Sequence, residues 1–281
     1  MPAARSQKSA APIALLTDFG YRDHYVGVMK GVIASIAPAA NVIDLTHGIP
    51  PQALAAGAIA LAQSWRYFPR RTIFVAVVDP GVGTSRRAIA VETIAGARFI
   101  GPDNGLLWNA ADQAGIRRVV ELRSPRYRRA EISATFHGRD LFAPAAAHLW
   151  RGVRLAALGP ELRAMTPAAA APGVTEARNE LTGSIVYIDG FGNLVTNIDR
   201  KCFERFARRF RGFRLSVKIG RGAPIEILKA YGEARPGSSL ATFGSFEMLE
   251  VAVRDGSAAE RFAAETGAPV RVQAIRRSSD G

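Results

Sequence analysis

Short apolar runs alternate with helical periodicity over the first 155 residues of the chain. Ile13 to Thr17 is a five-residue run closed by Asp18-Phe19-Gly20, the pattern of a buried strand ending in a turn. Tyr25 to Ile36 follows with Val26, Met29 and Ile33 on one helical face. Asn41 to Leu45 reads as a strand and the Ala/Leu-rich Gln52 to Trp65 as a helix. Thr72 to Val78 is a continuous β-rich run stopped by Asp79-Pro80-Gly81. Ala88 to Thr93 and Arg98 to Ile100 predict further strands, and Leu141 to Trp150 a helix. Strands alternating with crossover helices predict an α/β domain over residues 1–158 with a mostly parallel sheet. Such sheets place ligands at the carboxyl ends of their strands.

The texture then changes. Residues 159–174 hold three prolines among small residues without a period, and read as a linker. Beyond it, Leu181 to Ile188, Phe213 to Ile219, Pro224 to Leu228 and Met248 to Val253 predict strands separated by Gly-rich turns. A smaller, mainly antiparallel β domain over residues 175–281 is the expectation.

Composition narrows the class. Hydrophobic residues are 48% of 281, enough for a sizeable core, and no apolar run is long enough to cross a bilayer. The N-terminal stretch is too short in apolar residues for a secretory signal, and a single cysteine, Cys202, forbids an internal disulfide. A cytoplasmic protein is expected. The net charge of +13 raises the question of nucleic acid. Its densest run, Arg200 to Arg214, carries Phe203, Phe206 and Phe210 at helical spacing, the pattern of a surface helix with solvated basic flanks. No nucleic-acid-binding signature accompanies it, and no nucleic-acid or membrane partner is expected.

Three carboxylates stand directly after apolar strands: Asp18 in LLTDFGYRD, Asp79 in AVVDPGVGTSRR and Asp189 in IVYIDGFGN. An Asp at a strand end also caps turns, so position alone does not assign a role. Gly81-Val82-Gly83 lacks the third glycine of a dinucleotide fingerprint and the Gly-Lys-Ser/Thr of a phosphate loop. Four histidines form no HExxH pair, and no GxSxG elbow is present.

Taken in order, LTDFGYRDHYVGVMKGVI, DLTHGIPPQ, VVDPGVGTSRR, GPDNGLL, TFHGRDLFAP and IDGFGNLVTNI resemble the S-adenosylmethionine hydroxide adenosyltransferases, the water-using relatives of fluorinase and chlorinase. The resemblance runs from about Ile13 to about Val272. It implies hydrolysis of S-adenosyl-L-methionine to adenosine and L-methionine, by attack of water at the ribose C5′. It also implies a homotrimer with active sites at subunit interfaces, and no cofactor or metal. By the same resemblance Asp79, Arg86 and His137 prepare the water, and which of Asp79 and His137 takes its proton stays open. Asp18 would grip the ribose hydroxyls, Asp23 would lie near the methionine amine and Phe136 beside the ribose or sulfonium. Asp189 would face the methionine, Phe191 and Asn193 the adenine, and Ser245 the methionine carboxylate. Phe246 and Glu247 depart from the family's small residue after that serine. Two other readings compete: halide transfer on the same scaffold, and non-catalytic binding of S-adenosylmethionine or adenosine.

Overall fold

In the computed structural model, which describes residues 11–169 and 173–276, the chain divides into two compact units, Met1–Ala169 and Ala170–Gly281. The first is built on seven strands: β1 (Ile13–Thr17), β2 (Val42–Thr46), β3 (Ile73–Val77), β4 (Ala88–Thr93), β5 (Arg98–Pro102), β6 (Ile116–Glu121) and β7 (Glu161–Leu162). Their order is β2-β1-β3-β5-β4-β6-β7. The pairings β2–β1, β1–β3 and β3–β5 are parallel, while β4, β6 and β7 extend the sheet antiparallel. All five residues of β1 and of β3 are buried, which is why their sequences are unbroken apolar runs rather than alternating ones.

Helices cover the sheet. Helix α1 (Tyr25–Ile36) buries Val26, Met29 and Ile33, the face that its sequence periodicity predicts. α2 (Leu54–Ser64) packs on α3 (Trp108–Gln113), and α4 (Ala143–Trp150) packs on α1. The core between α1, α4 and the sheet joins Met29, Ile33, Phe142 and Leu149 to Ile13, Leu15, Val75 and Val77. The chain leaves β1 towards β2 on one side and returns to β3 on the other. Strand order therefore reverses at β1, opening a crevice at the carboxyl ends of β1, β2 and β3.

The first part of the 159–174 stretch is tied to this unit. β7 pairs with β6, Met165 is buried, and the Thr166 N–H donates to Asp103 Oδ1 at 2.6 Å. Leu162 and Met165 supply apolar anchors between the prolines that suggested a free connector.

The second unit is antiparallel throughout its named strands: β8 (Thr175–Ala177), β9 (Glu180–Ile188), β10 (Leu194–Asp199), β11 (Phe213–Ile219), β12 (Ile225–Glu226), β13 (Ser239–Phe243), β14 (Met248–Val253) and β15 (Pro269–Arg276). The order is β12-β11-β15-β9-β10-β14-β13, with β8 on β9. The basic run forms α5 (Arg200–Arg209), with the Asp199 side chain accepting from the Cys202 N–H at its start. Phe206 is its fully buried anchor. A short α6 (Ala258–Phe262) completes the unit. Among the described residues no helix is long and apolar enough to cross a membrane.

Candidate active site

Three loops meet at the crevice of the first unit. Asp18 follows β1, Asp79 follows β3, and His137 precedes a π-helical turn, Gly138–Phe142, that runs into α4. The turn explains why helical periodicity is legible only from Leu141: its wider winding breaks the 3.6-residue repeat.

Arg86 ties the loops together. Its Nε donates to both carboxylate oxygens of Asp79, at 2.9 and 3.1 Å, and Nη2 also contacts Asp79 Oδ2. The same Nη2 lies 2.6 Å from His137 Nδ1. A guanidinium only donates, so this Nδ1 accepts and a neutral ring carries its proton on Nε2. Burial, then the Arg86 charge, pushes the His137 pKa below its ordinary 6.5, against the opposing pull of Asp79 and Asp140. Arg86 and Asp79 side chains are only 9% and 7% exposed, and the guanidinium rests 5.5 Å from the Phe142 ring centroid. Gly83 makes this convergence possible. It has φ +79°, and a Cβ there would lie 2.7 Å from the Ala134 carbonyl oxygen, so any side chain would hold the two loops apart.

A cavity of about 410 Å³ opens beside the cluster, lined by Asp18, Asp79, His137, Phe136, Phe19 and Tyr25, with Gln52 at its edge. Phe19, Tyr25 and Phe136 are mutually in contact, with centroids 5.2–6.0 Å apart. Asp18 Oδ2 accepts from the Gln52 N–H at 2.8 Å. Asp23 is exposed and does not line this cavity. Asp140, which sequence reasoning passed over, is fully buried and anchors the segment before the site. It accepts from the Ser133 N–H and is gripped by Arg139. Burial pushes its carboxyl up, but the bonds from Arg139 and Ser133, with the Arg139 and Arg129 charges, hold it below the ordinary value. Its signal was a charged residue at the head of a largely apolar stretch, DLFAPAAAHLW.

The remaining predicted residues lie in the second unit. Asp189, Phe191 and Asn193 line a cavity of about 530 Å³ together with Tyr231, Arg254 and Asp255. Asp189 organises the β9–β10 turn: Oδ1 accepts from the Phe191 and Asn193 N–H groups and Oδ2 from the Asn193 amide, each at 2.9 Å. Its capping function is thus realised alongside any ligand contact. Phe191 is 81% exposed. Tyr231 donates to the buried Glu250, and burial raises the pKa of both groups. Ser245 is exposed between β13 and β14 and is not among the residues lining the cavity. Beside it Glu247 pairs with Arg200, so the acidic residue that departs from the family pattern is neutralised by its neighbour.

Comparisons with known proteins agree over both units. Residues 13–159 match the model of the SAM hydroxide adenosyltransferase N-terminal domain, and residues 183–271 that of the C-terminal domain. A protein named (R)-S-adenosyl-L-methionine hydrolase from Thermus thermophilus is 40% identical over 93% of this chain and 99% of its own length. A fluorinase from Actinoplanes is 30% identical over 69% of this chain and 73% of its own. A crystal structure of an uncharacterized conserved protein from Thermotoga maritima superposes with TM-score 0.86 at 35% identity, covering 93% of this chain and 99% of that one.

Proposed function

The chain belongs to the SAM hydroxide adenosyltransferase family, and from that premise we propose that it hydrolyses S-adenosyl-L-methionine to adenosine and L-methionine. The observation that carries the reading is the Asp79–Arg86–His137 cluster at the wall of a cavity that also holds Asp18.

Water attacks the ribose C5′ while the C5′–S bond breaks, and the bonding pair leaves with sulfur to form the neutral thioether of methionine. The sulfonium is a good leaving group, so the demand falls on the nucleophile. Asp79 accepts the water's proton, using lone pairs beyond those held by Arg86. His137 suits this role less well, because its acceptor nitrogen faces Arg86. Its Nε2–H instead donates to the water oxygen and aims it. A positioned base of this kind contributes about 10²–10⁴-fold. Asp18 grips the ribose hydroxyls, and Phe136 faces the ribose and sulfonium.

In the second unit Phe191 and Asn193 receive the adenine, and Asp189 lies towards the methionine, with Ser245 at its carboxylate and Asp23 near its amine. We place the complete site in a cytoplasmic homotrimer, where one subunit's first unit meets the next subunit's second unit. Co-purified Asp79→Asn and Asn193→Ala chains should then show, at low substrate concentration, more activity than either homomer; no such gain argues against a shared site.

Halide transfer is the competing reading that a 30% identical fluorinase brings forward. An anion 4 Å from Asp79 is repelled by about 1 kcal/mol in bulk dielectric and about 4 kcal/mol at an effective value of 20, which favours neutral water. Incubation with S-adenosylmethionine in ¹⁸O-water should place the label in the adenosine 5′-hydroxyl. Halogenated nucleoside as the main product in chloride or fluoride buffer overturns the proposal, and tight binding without turnover points to a sensor.

A further inference from the structure

The DLTHGIPPQ string contains a fully buried histidine, His47, to which the reaction above gives no task. It stands just after β2 and closes a continuous polar chain beneath the crevice. Lys30 on α1 donates to Asp44 Oδ2 at 2.7 Å, and Asp44 Oδ1 lies 3.0 Å from His47 Nε2. His47 Nδ1 lies 2.8 Å from Thr17 Oγ1, and Thr17 Oγ1 accepts from the Phe19 N–H at 3.2 Å.

One proton arrangement satisfies the Thr17 hydroxyl on both sides. With Nδ1 unprotonated, the Thr17 hydroxyl donates to it while accepting from Phe19, and Nε2 lies beside Asp44 as a close polar contact without hydrogen-bond geometry. A doubly protonated ring would leave the Thr17 hydroxyl proton, on a side chain with no solvent exposure, without this acceptor. Burial pushes the Asp44 carboxyl up, but the bond and charge of Lys30, together with the adjacent His47 imidazole, outweigh it and hold the group below its ordinary value.

The chain ends on the backbone either side of Asp18. Two further bonds lock the same two loops: the Gly20 N–H donates to the His47 carbonyl at 2.8 Å, and the Gln52 N–H donates to Asp18 Oδ2 at 2.8 Å. Gly20, at φ +67°, makes the tight exit that this crossing needs. The loop after β1 is thus clamped to the loop after β2 at three points, with Asp18 in the middle. A clamp on a carboxylate sets where it meets its ligand without touching the ligand itself.

We infer that Thr17 and His47 are positioning residues for the cavity, holding Asp18 in the geometry that receives the ribose 2′- and 3′-hydroxyls; this rests on the proposed role of Asp18. The clamp acts on ribose recognition and leaves the water-activating cluster unaltered.

The test measures affinities of the full chain for adenosine and for 2′,3′-dideoxyadenosine by calorimetry, alongside kcat and KM for S-adenosylmethionine. Thr17→Val, isosteric but without the hydroxyl, and His47→Leu should each weaken adenosine about tenfold, the scale of one hydrogen bond to a charged group. Dideoxyadenosine affinity should stay near the parent's, and KM should rise more than kcat falls. His47→Asn, whose amide oxygen replaces Nδ1 as acceptor, and Thr17→Ser should recover most of the loss. Added to Asp18→Ala, neither Thr17→Val nor His47→Leu should cost more, because they act through the same group. Equal weakening of both nucleosides, or full additivity with Asp18→Ala, makes the network merely structural and overturns the inference. If Asp18→Ala binds adenosine like the parent, the ribose role itself fails and the inference falls with it. A loss in Asp18→Ala that neither Thr17→Val nor His47→Leu shares overturns the inference alone. Should His47→Leu fail to fold, Thr17→Val decides.

Discussion

The two cavities of this chain are prepared in different ways. In the first unit Asp79, Arg86 and His137 come from loops up to 58 residues apart and are bonded to one another before any ligand arrives. In the second unit Asp189, Phe191 and Asn193, proposed for recognition, sit within a single turn, and the aromatic one, Phe191, stands 81% exposed. Groups that must aim a water molecule gain from being fixed in advance, because any reorganisation during reaction adds to the barrier. Groups that hold a flat base need only present a face, and an exposed ring on a rigid turn does this at little conformational cost.

The comparison breaks most visibly at Asp79. Asp79→Asn should lower kcat by about 10²–10⁴-fold, the value of a positioned base, with the dissociation constant for S-adenosylmethionine close to the parent's. A variant that turns over at the parental rate in single-turnover assays sinks the first half of the contrast. Phe191→Ala should act on the other half: affinity falls by about 1–2 kcal/mol, as for loss of one base-stacking partner, while single-turnover rates at saturation hold. A fall in the saturated rate as large as that of Asp79→Asn would erase the distinction between the cavities.

The smallest effect is the dependence on acid. The folded-state pKa of His137 lies below its ordinary 6.5, so the unfolded chain takes up this proton first as pH falls. Its contribution to stability is therefore complete above about pH 6.5 and is lost as pH falls through the lower folded value. His148, lowered by burial and by the Arg151 and Arg126 charges, adds in the same direction. Protonating His137 also ends its role as acceptor for Arg86, so kcat/KM should carry an acid limb below pH 6.5 that His137→Asn flattens. An unchanged limb in that variant assigns it elsewhere.

Much of the fold was legible because its signals are local. The limits of β1, α1, β4, β11 and β14 follow directly from apolar runs and periodicity. β15 carries the alternation of Val270, Val272 and Ala274 that locates it, although no strand was anticipated there. β6 and β10 are harder, since Arg117, Arg118, Asn197 and Asp199 interrupt their apolar pattern and only pairing with neighbours stabilises them as strands. The site was legible as motifs in order. That Asp23 and Ser245 stand exposed and line neither cavity was not, because side-chain direction in a loop depends on what it packs against.

By itself the sequence determined the chemistry available: which carboxylates end strands, where glycines permit tight turns, and which family's motifs recur. Those are properties of neighbours along the chain. Tertiary structure alone decided that Arg86 bridges Asp79 to His137, 51 residues beyond it, and that His47 reaches Thr17 across 30. Such pairings arise when parallel strands bring their carboxyl ends to one edge, and no local periodicity encodes which loop will lie opposite which.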